Sequence, residues 1–528
     1  MNYFAFQGYQ SPLTPLASAC RQALQADWTS GQAVGVLRTQ LDGLRLESIP
    51  CLDSFVTTPQ REDLGRVVTG HDFSSAADQA RLRGTLERIA FVHDSLLYHQ
   101  AGPGKTTNQP IAPLGTQRDL SLAYSPGVAF PCFEIERDPK LAAIYTNRQN
   151  TVYVISNGGA ILGIGNRGAL ASKPVMEGKA VLFHQFARIN AIDLLVATQD
   201  PKTFVECVRY LWPTMAGINI EDVSAPSCFE IEPDLISHMD GNPLPTAVMH
   251  DDQHGTATIV TAGIENGLRV QGKIHESARN QLRIVVAGAG ASGVACAKMI
   301  MTALRIRKEQ IVMVDTKGVI RRGRADFAAM PEYKRFFAQD TEIQTLAEAL
   351  KGADVFLGLS GANTVTQAMV ASMADKPIIF AMANPDPEIL PESAHEARGS
   401  KKDLVMGTGR SDYPNQINNV LGFPFLFRGA IDVGAKRISK TMKVKAANAL
   451  AELARQPVPA EVSSLYGADL VFGPDYLVPK PFDPRVMDWV APAVAEAAVL
   501  DSINAFPYDD VQYRKFLRHI RGKGEETA

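Results

Sequence analysis

The sequence predicts an α/β protein with parallel sheets, and three observations carry that prediction. A strand-like run from Ile284 to Ala287 leads into Gly288, Gly290 and Gly293, then into a helical stretch and a second strand, Ile311 to Val314, that ends at Asp315. Two further apolar runs, 355–359 and 378–381, end in the polar segments LSGAN and MANPDP. Upstream, two short apolar runs end in the acidic pairs Glu221-Asp222 and Asp251-Asp252, with a helix-like segment between them. Strands alternating with helical stretches build parallel sheets whose carboxyl ends face a ligand crevice. The expected fold is therefore a Rossmann-type doubly wound NAD(P)-binding domain preceded by a second α/β domain.

Bulk properties set the outer bounds. A chain of 528 residues, 45% apolar and 21% charged, is too long for one core and has the composition of a globular protein of two or three domains. Its formal net charge of -3 argues against nucleic-acid or membrane partners, which usually meet a basic face. The six cysteines (Cys20, Cys51, Cys132, Cys207, Cys228, Cys296) show no CxxC spacing, so reduced core thiols and a cytoplasmic setting are expected. The start, MNYFAFQGYQSPLTP, has the pattern of neither a signal nor a transit peptide. The longest apolar stretch, Ile284 to Leu304, contains Lys298 and several glycines and is better read as the dinucleotide loop and its helix.

Taken in order, residues 1–100 are helical in texture and of unassigned role, with helices expected over Ser18 to Ala26 and Ala77 to His99. In the second, Leu82, Leu86, Ile89, Val92 and Leu96 recur at helical spacing and predict one buried stripe. Residues 101–110 read as a Gly- and Pro-rich linker. Tyr124 stands before the Ser125-Pro126-Gly127 break, either as a structural turn residue or as a phenol at a loop mouth available as a general acid. Apolar runs 151–155 and 160–164 around Asn157-Gly158-Gly159 suggest a hairpin. The following GIGNRG is formally a GxGxxG but lacks the βαβ context that gives the motif meaning. Val175 to Phe186 predicts a helix carrying Lys179, either snorkelling or, if buried near carboxylates, a proton carrier whose pKa desolvation lowers.

The two acidic pairs have two readings. Each pair alone is a respectable helix cap, Glu221 and Asp222 for the next helix, Asp251 and Asp252 for the helix from Gly255. If both runs are parallel strands joined by a right-handed crossover, the four carboxylates meet in one crevice and repel one another unless a divalent cation joins them. The segment Leu282 to Gly318 is the more specific signal: strand, Gly288, Ala289, Gly290, Ala291, Ser292, Gly293, helix, strand, then an acid 22 residues after Gly293. That context makes it a dinucleotide fingerprint, with the pyrophosphate at the helix N-terminus. Asn384 in NPDP is either an ordinary Asx-turn residue or a group facing the ligand crevice, and Asn418 and Asn419 near a later helix start are neutral amides suited to a substrate carboxylate. The tail is expected to be helical over 444–455 and 490–500.

The blocks LAYSPGVAFPC, KPVMEGKAVLF, GINIEDVSAPSCFEIE, MHDDQHGTA, VVAGAGASGVACAK, MANPDPEI and GTGRSDYPNQINNVLGFPF stand in this order between about Ala112 and Tyr508. They resemble the successive signature blocks of malic enzymes, above all the compact bacterial type. The resemblance implies a malic-enzyme-like two-domain architecture and oxidative decarboxylation of L-malate to pyruvate and CO₂ with NAD⁺ or NADP⁺ and Mg²⁺ or Mn²⁺. Matched block by block, it implies metal ligation by Glu221, Asp222 and Asp252, with Lys179 as the base toward the C2 hydroxyl and Asp251 tuning it. Tyr124 is implied as the acid that protonates C3, Asn384 and Asn419 as substrate amides, and Gly288 to Gly293 with Asp315 and Asn384 as cofactor contacts.

The chain departs from the family in places. Larger eukaryotic-type members carry a substrate-binding arginine where this chain has Ala160. Arg167 stands where the compact type usually has an aliphatic residue, which motivates it as a substrate-carboxylate contact. Residues 1 to about 100 lie outside the resemblance, and the chain stops without the acetyltransferase-like extension of some bacterial members. Expected organisation is an N-terminal segment 1–100, a catalytic domain 101–279, a dinucleotide domain 280–450 and a C-terminal helical segment 451–528 packing on the body, in a homodimer or higher homo-oligomer. Asp315 suits the free ribose hydroxyls of NAD, whereas Lys317, Arg321, Arg322 and Arg324 suit a 2′-phosphate; the resemblance tips the balance slightly to NADP, because members of the compact type with an acid at this position can still use it. Competing readings are malolactic conversion or oxaloacetate decarboxylation on the same scaffold, a metal-free amino-acid dehydrogenase, and a non-catalytic malate or nucleotide sensor.

Overall fold

The computed structural model describes residues 11–522 apart from positions 12, 30, 43, 45, 47, 48, 50, 51, 53–55, 71, 72, 74, 101–104, 110, 162 and 400–402. Most of the N-terminal peptide discussed above, Cys51 and half of the predicted linker thus lie outside the described residues. The chain separates into two units, 1–109 and 110–528.

The first unit is helical: Thr14–Gln25, Gln32–Leu41, Thr58–Val68 and Ala76–Gln100. Leu16, Leu37, Leu64, Leu82 and Leu86 meet in its own core. The predicted stripe is buried through Val92, but Leu96 is 38% exposed, because the core ends before the helix does.

The second unit holds two parallel sheets. The first contains β1 (Thr151–Ser156), β2 (Asn190–Leu195), β3 (Gly217–Ile220) and β4 (Ala247–His250) in the order β2-β1-β3-β4. The predicted hairpin does not form: β1 pairs in parallel with β2 and β3, and residues 160–164 contribute only an isolated Ile161–Gly165 bridge. Backbone turns at Gly158, Gly163 and Gly165, all at positive φ, coil this segment into a loop, and β1 finds its partners further along the chain.

The second sheet contains β5 (Ile284–Ala287), β6 (Ile311–Asp315), β7 (Gly318–Val319), β8 (Val355–Gly358), β9 (Ile378–Ala381) and β10 (Val405–Thr408), ordered β10-β9-β8-β5-β6-β7. All of its pairings are parallel except that of the short β7. Strands β5, β8, β9 and β10 are buried throughout, as sheets covered on both faces require. Alternate residues divide between two cores: Ile284, Val286, Leu357 and Phe380 face one, Val285, Ala287, Phe356 and Ile379 the other. The C-terminal helices Lys440–Ala454 and Arg485–Leu500 share the first of these cores through Leu450, Val490 and Val494. Among the described residues no helix is long and apolar enough to cross a membrane.

Candidate active site

In each sheet the first strand is followed by neighbours on opposite sides, so a crevice opens where the chain changes direction, between β1 and β3 and between β5 and β8. Strands β3 and β4 lie side by side with Ile220 opposite His250, which brings the two acidic pairs together at one sheet end. Oxygens of Glu221, Asp222 and Asp252 lie within 4.8 Å of one another. Asp222 takes φ 51, a region that aspartate and asparagine enter more readily than bulky residues, and its N–H donates to Asp252 Oδ2 at 2.9 Å. The capping reading fails for the first pair, since the next helix starts at Cys228 with Ser227 before it. Asp251 and Asp252 do occupy the first turn of the helix Asp251–Val270, where the dipole favours carboxylates.

Lys179 comes to this cluster from the helix Gly168–Ala187 and is only 7% exposed. Its Nζ lies 2.5 Å from Asp251 Oδ2 and 2.8 Å from Glu221 Oε1, with the Phe423 ring centroid 4.0 Å away. Burial by itself lowers the lysine pKa, but Asp251, Glu221 and Asp252 outweigh it and hold the group above its ordinary value. This corrects the expectation of a lysine lowered by desolvation: in this cluster it is the charged member. Asn419 Nδ2 also donates to Asp251 Oδ2, at 2.7 Å, and Asn219 Nδ2 donates to Glu221 Oε2 at 2.8 Å. Gly255 leaves room for the arrangement, because a Cβ there would stand 1.7 Å from Asp251 Oδ1.

One lysine does not balance four acids, three of them buried and Asp252 half-buried. Burial, augmented by neighbouring carboxylates and opposed by Lys179, pushes Glu221 and Asp251 up to about 7 and Asp252 to about 6. Asp222 goes to about 9, through burial first and then Asp252 and Glu221. Asp222 Oδ2 and Asp251 Oδ1 are buried with no hydrogen-bond partner among the described residues. Hard oxygen donors, crowded, buried and partly unpartnered, form a donor set that fits a divalent cation of the Mg²⁺ or Mn²⁺ kind.

The second crevice has a volume of about 930 Å³ and is lined by Gly288, Ala289 and Gly290 after β5, Asp315 at the end of β6, and Ser360 and Gly361 after β8. Gly288 has φ +112, and a Cβ there would meet the Leu359 carbonyl at 2.1 Å, so the loop needs glycine to turn against β8. The helix Ala291–Ala303 begins at this loop and supplies the N–H end of its dipole. Ser292 Oγ donates to the Asp252 carbonyl at 2.9 Å, so the dinucleotide loop and the carboxylate cluster are joined directly.

Not every expected residue is brought to the cluster. Tyr124 ends the helix Gln117–Ala123, is 72% exposed, and makes no hydrogen bond to the cluster among the described residues. Arg167 is exposed and donates through Nε to the Ile164 carbonyl of its own loop at 3.0 Å. Asn384 Nδ2 donates to Met382 O at 3.3 Å, and Asn418 caps the short turn that carries Asn419. Of the five cysteines described, Cys132 and Cys207 are exposed, which corrects the expectation of core thiols for those two.

Sequence reasoning passed over Phe423, Asn219, Glu232 and Glu388. Glu232 Oε1 accepts the N–H of β4's last residue, His250, at 3.0 Å, and Oε2 lies 2.9 Å from His254 Nε2. Glu388 is fully buried, with Oε1 accepting from Ser360 N at 2.9 Å and Oε2 from Ala383 N at 3.1 Å, which ties together the loops after β8 and β9. Its signal was an acid directly after the Pro-Asp-Pro of the β9 loop, at a strand end that faces the ligand.

Two family models match the chain: malic enzyme, N-terminal domain, over residues 103–236, and malic enzyme, NAD binding domain, over 253–467. The chain is 52% identical over 407 residues to the NADP-dependent malic enzyme of Halomonas elongata, an alignment covering 77% of this chain and 93% of that one. It is 53% identical over 410 residues to the NADP-dependent malic enzyme of Escherichia coli, covering 77% of this chain and 52% of that protein; it thus spans about half the length of that relative. The crystal structure of malic enzyme from Pyrococcus horikoshii superposes with a TM-score of 0.72 at 34% identity, covering 83% of this chain and 97% of that one.

Proposed function

Because the chain belongs to the malic enzyme family, we propose that its two crevices together carry out the oxidative decarboxylation of L-malate to pyruvate and CO₂ with reduction of NAD(P)⁺. The observation that carries this reading is the direct join between them, the Ser292 hydroxyl on the Asp252 carbonyl, which sets a proton carrier beside a dinucleotide loop. Glu221, Asp222 and Asp252 are the residues that would hold the divalent ion. When bound, the ion supplies Lewis-acid polarisation of substrate oxygens, and the coenzyme supplies the hydride acceptor.

The protein's own part is positioning and proton movement. Lys179 holds its proton against Asp251 at 2.5 Å, and once that proton is lost the amine can take the proton of the C2 hydroxyl. Phe423 and the helix around Lys179 exclude water from the exchange, while Asn419 holds Asp251 in place. Asn384 and the remaining capacity of the Asn419 amide are assigned to the substrate carboxylates. Tyr124 is assigned to deliver a proton to C3 as CO₂ leaves.

We infer that this last role is met across an assembly. The segment around Tyr124 also exposes Leu120 (48%), Leu122 (60%), Phe130 (68%) and Phe133 (62%), an apolar face of the kind that a second copy covers. We assign the protein to a homodimer in which each Tyr124 serves the partner's lysine. Mixing Lys179→Ala with Tyr124→Phe then restores activity that neither variant has, whereas a tyrosine acting within its own chain gives no recovery. The cytoplasm is the proposed setting, since the six cysteines are sparse and lack CxxC spacing.

The overall reading is tested with purified protein, L-malate, Mn²⁺ and either NAD⁺ or NADP⁺, followed at the absorbance of reduced nicotinamide. Pyruvate formed together with reduced coenzyme is expected. Lactate formed from L-malate without net reduced coenzyme replaces this reading with malolactic conversion, and pyruvate formed only when oxaloacetate is supplied in place of L-malate replaces it with oxaloacetate decarboxylation.

A further inference from the structure

The helix Cys228–Asp240 carries a buried acid, Glu232, that is not among the oxygens gathered at the cation site. An acid so placed needs partners for both of its oxygens and for its charge. Oε1 accepts from His250 N at 3.0 Å, and Oε2 lies 2.9 Å from His254 Nε2. Burial by itself raises this carboxyl, but His254 and Lys443 outweigh burial and hold it below the ordinary carboxylate range. The group is therefore ionised, and the imidazole Nε2–H is the donor of the second bond. Lys443, from the helix Lys440–Ala454, is lowered by its own burial and held up by Glu232, so the acid and the lysine are each other's counter-charge.

The two residues that Glu232 holds are the ends of one helical turn. His250 closes β4 and precedes the helix Asp251–Val270, which starts without a side-chain cap of its own, and His254 lies four residues further on. In a capping box the N–H before a helix is satisfied by an acid from that helix's own first turn. Here the acid comes from a neighbouring helix and bridges both ends of the turn with one carboxylate. Between the two anchors stand Asp251, paired with Lys179, and Asp252, whose Oδ2 accepts from Asp222 N and whose carbonyl accepts from Ser292 Oγ. Like charges among these acids and Glu221 push the turn away from β3, and the clamp opposes that displacement.

We propose that Glu232 is a positioning residue for the cation site: by clamping His250 and His254 it holds the turn that presents Asp252 to Glu221 and Asp222 in a geometry ready for a divalent ion. The inference rests on the cation reading of those three acids and deepens it. Partners one step removed from a metal ligand typically account for about 10–100-fold in metal affinity.

The test is calorimetric titration of Mn²⁺ into the metal-stripped full chain at pH 8, without malate or coenzyme, beside thermal melts of the same metal-free samples. Glu232→Ala removes both acceptors and should raise the Mn²⁺ Kd by about 10–100-fold. Glu232→Gln keeps both bonds in another form: the amide oxygen accepts from His250 N, and the amide N–H donates to His254 in its other tautomer. Its Kd should stay within about threefold of that of the unaltered protein. Its metal-free Tm should nevertheless fall, because Lys443 loses the acid opposite it. A purely structural role gives a different pairing, with Mn²⁺ affinity following Tm in both variants. Should Glu232→Ala fail to fold, His254→Ala, at a side chain 22% exposed, cuts one arm of the clamp and should raise Kd by about tenfold. An unchanged Kd in the alanine variants, or a Glu232→Gln that binds as weakly as Glu232→Ala, overturns the inference while the cation site stands. Absence of Mn²⁺ binding by the unaltered protein overturns the cation reading and this inference with it.

Discussion

Replacing Asp222 with asparagine separates a cation site from a structural carboxylate, because the two readings predict different signs. Asp222 is 3% exposed at φ 51, and asparagine enters that region as readily as aspartate, so the backbone is kept. Its carboxyl is raised from 3.8 to about 9 by burial, then by Asp252 and Glu221. For an acid whose folded pKa is raised, the folded state binds the proton more tightly, so stability falls as pH climbs from the unfolded value toward the folded one. At pH 8 the ceiling is about 6 kcal/mol, taking about 1.4 kcal/mol per unit over roughly four units. Sharing of protons among four coupled carboxylates reduces this to about 2 kcal/mol. Metal-free Asp222→Asn should therefore melt about 2 °C higher than the unaltered protein at pH 8, given about 2.1 cal/mol/K of unfolding entropy per residue. Added Mn²⁺ should then raise Tm much less than in the unaltered protein, since losing a direct ligand costs at least the ~10–100-fold in affinity that loss of an outer partner costs. Thermal melts in EDTA and in Mn²⁺ read both effects. An unchanged metal-free Tm together with an undiminished Mn²⁺ response refutes the reasoning.

Other outcomes follow from the same geometry. Lys179→Ala should lower kcat by about 10²–10⁴-fold, measured with L-malate and coenzyme, because the proton carrier is lost while the carboxylates remain. Mn²⁺ affinity should fall by up to about tenfold per pH unit for each proton displaced as pH drops below about 7, the region to which Glu221 and Asp251 are raised; titration calorimetry at pH 6, 7 and 8 checks it, and a flat profile contradicts the raised carboxylates. Glu388→Gln places an amide N–H against either Ser360 N or Ala383 N, at a cost of about 1–3 kcal/mol, so it should lower Tm and raise the coenzyme KM together.

What the sequence made legible was what lies along a single strand or loop. The ends of β3, β4, β5 and β6 were readable because short buried parallel strands show as continuous apolar runs, and their last residues carry the chemistry. The false hairpin had the same origin: Asn157-Gly158-Gly159 between two apolar runs is a local hairpin signal, whereas the true partners of β1 lie at 190–195 and 217–220. The strand Asn190–Leu195 is half polar at its start and was overlooked for that reason. Longer-range effects were out of reach. Whether burial or charge wins at Lys179 depends on Asp251, Glu221 and Phe423, which arrive from other elements. Glu388 sits in a Pro-rich segment that reads as a surface loop, and only packing beneath Gly358 reveals it as buried.

The contact between Ser292 and Asp252 bears on how the two halves of the site act together. Asp252 sits in the first turn of the helix Asp251–Val270, and Ser292 in the first turn of the helix Ala291–Ala303. Both helices pack into one core, through Ile259 and Ile264 from the first and Val294 and Ile300 from the second. Close-packed interiors do not deform continuously, so the carboxylate cluster cannot shift without carrying the dinucleotide loop with it. On the proposed function, proton removal at Lys179 and hydride acceptance at the loop both need one substrate carbon held to within a fraction of an ångström, and misplacement by about 1 Å can cost about 100-fold in rate. A shared pair of helix starts meets that demand with one rigid element, where two independently hinged crevices would need closure to align them.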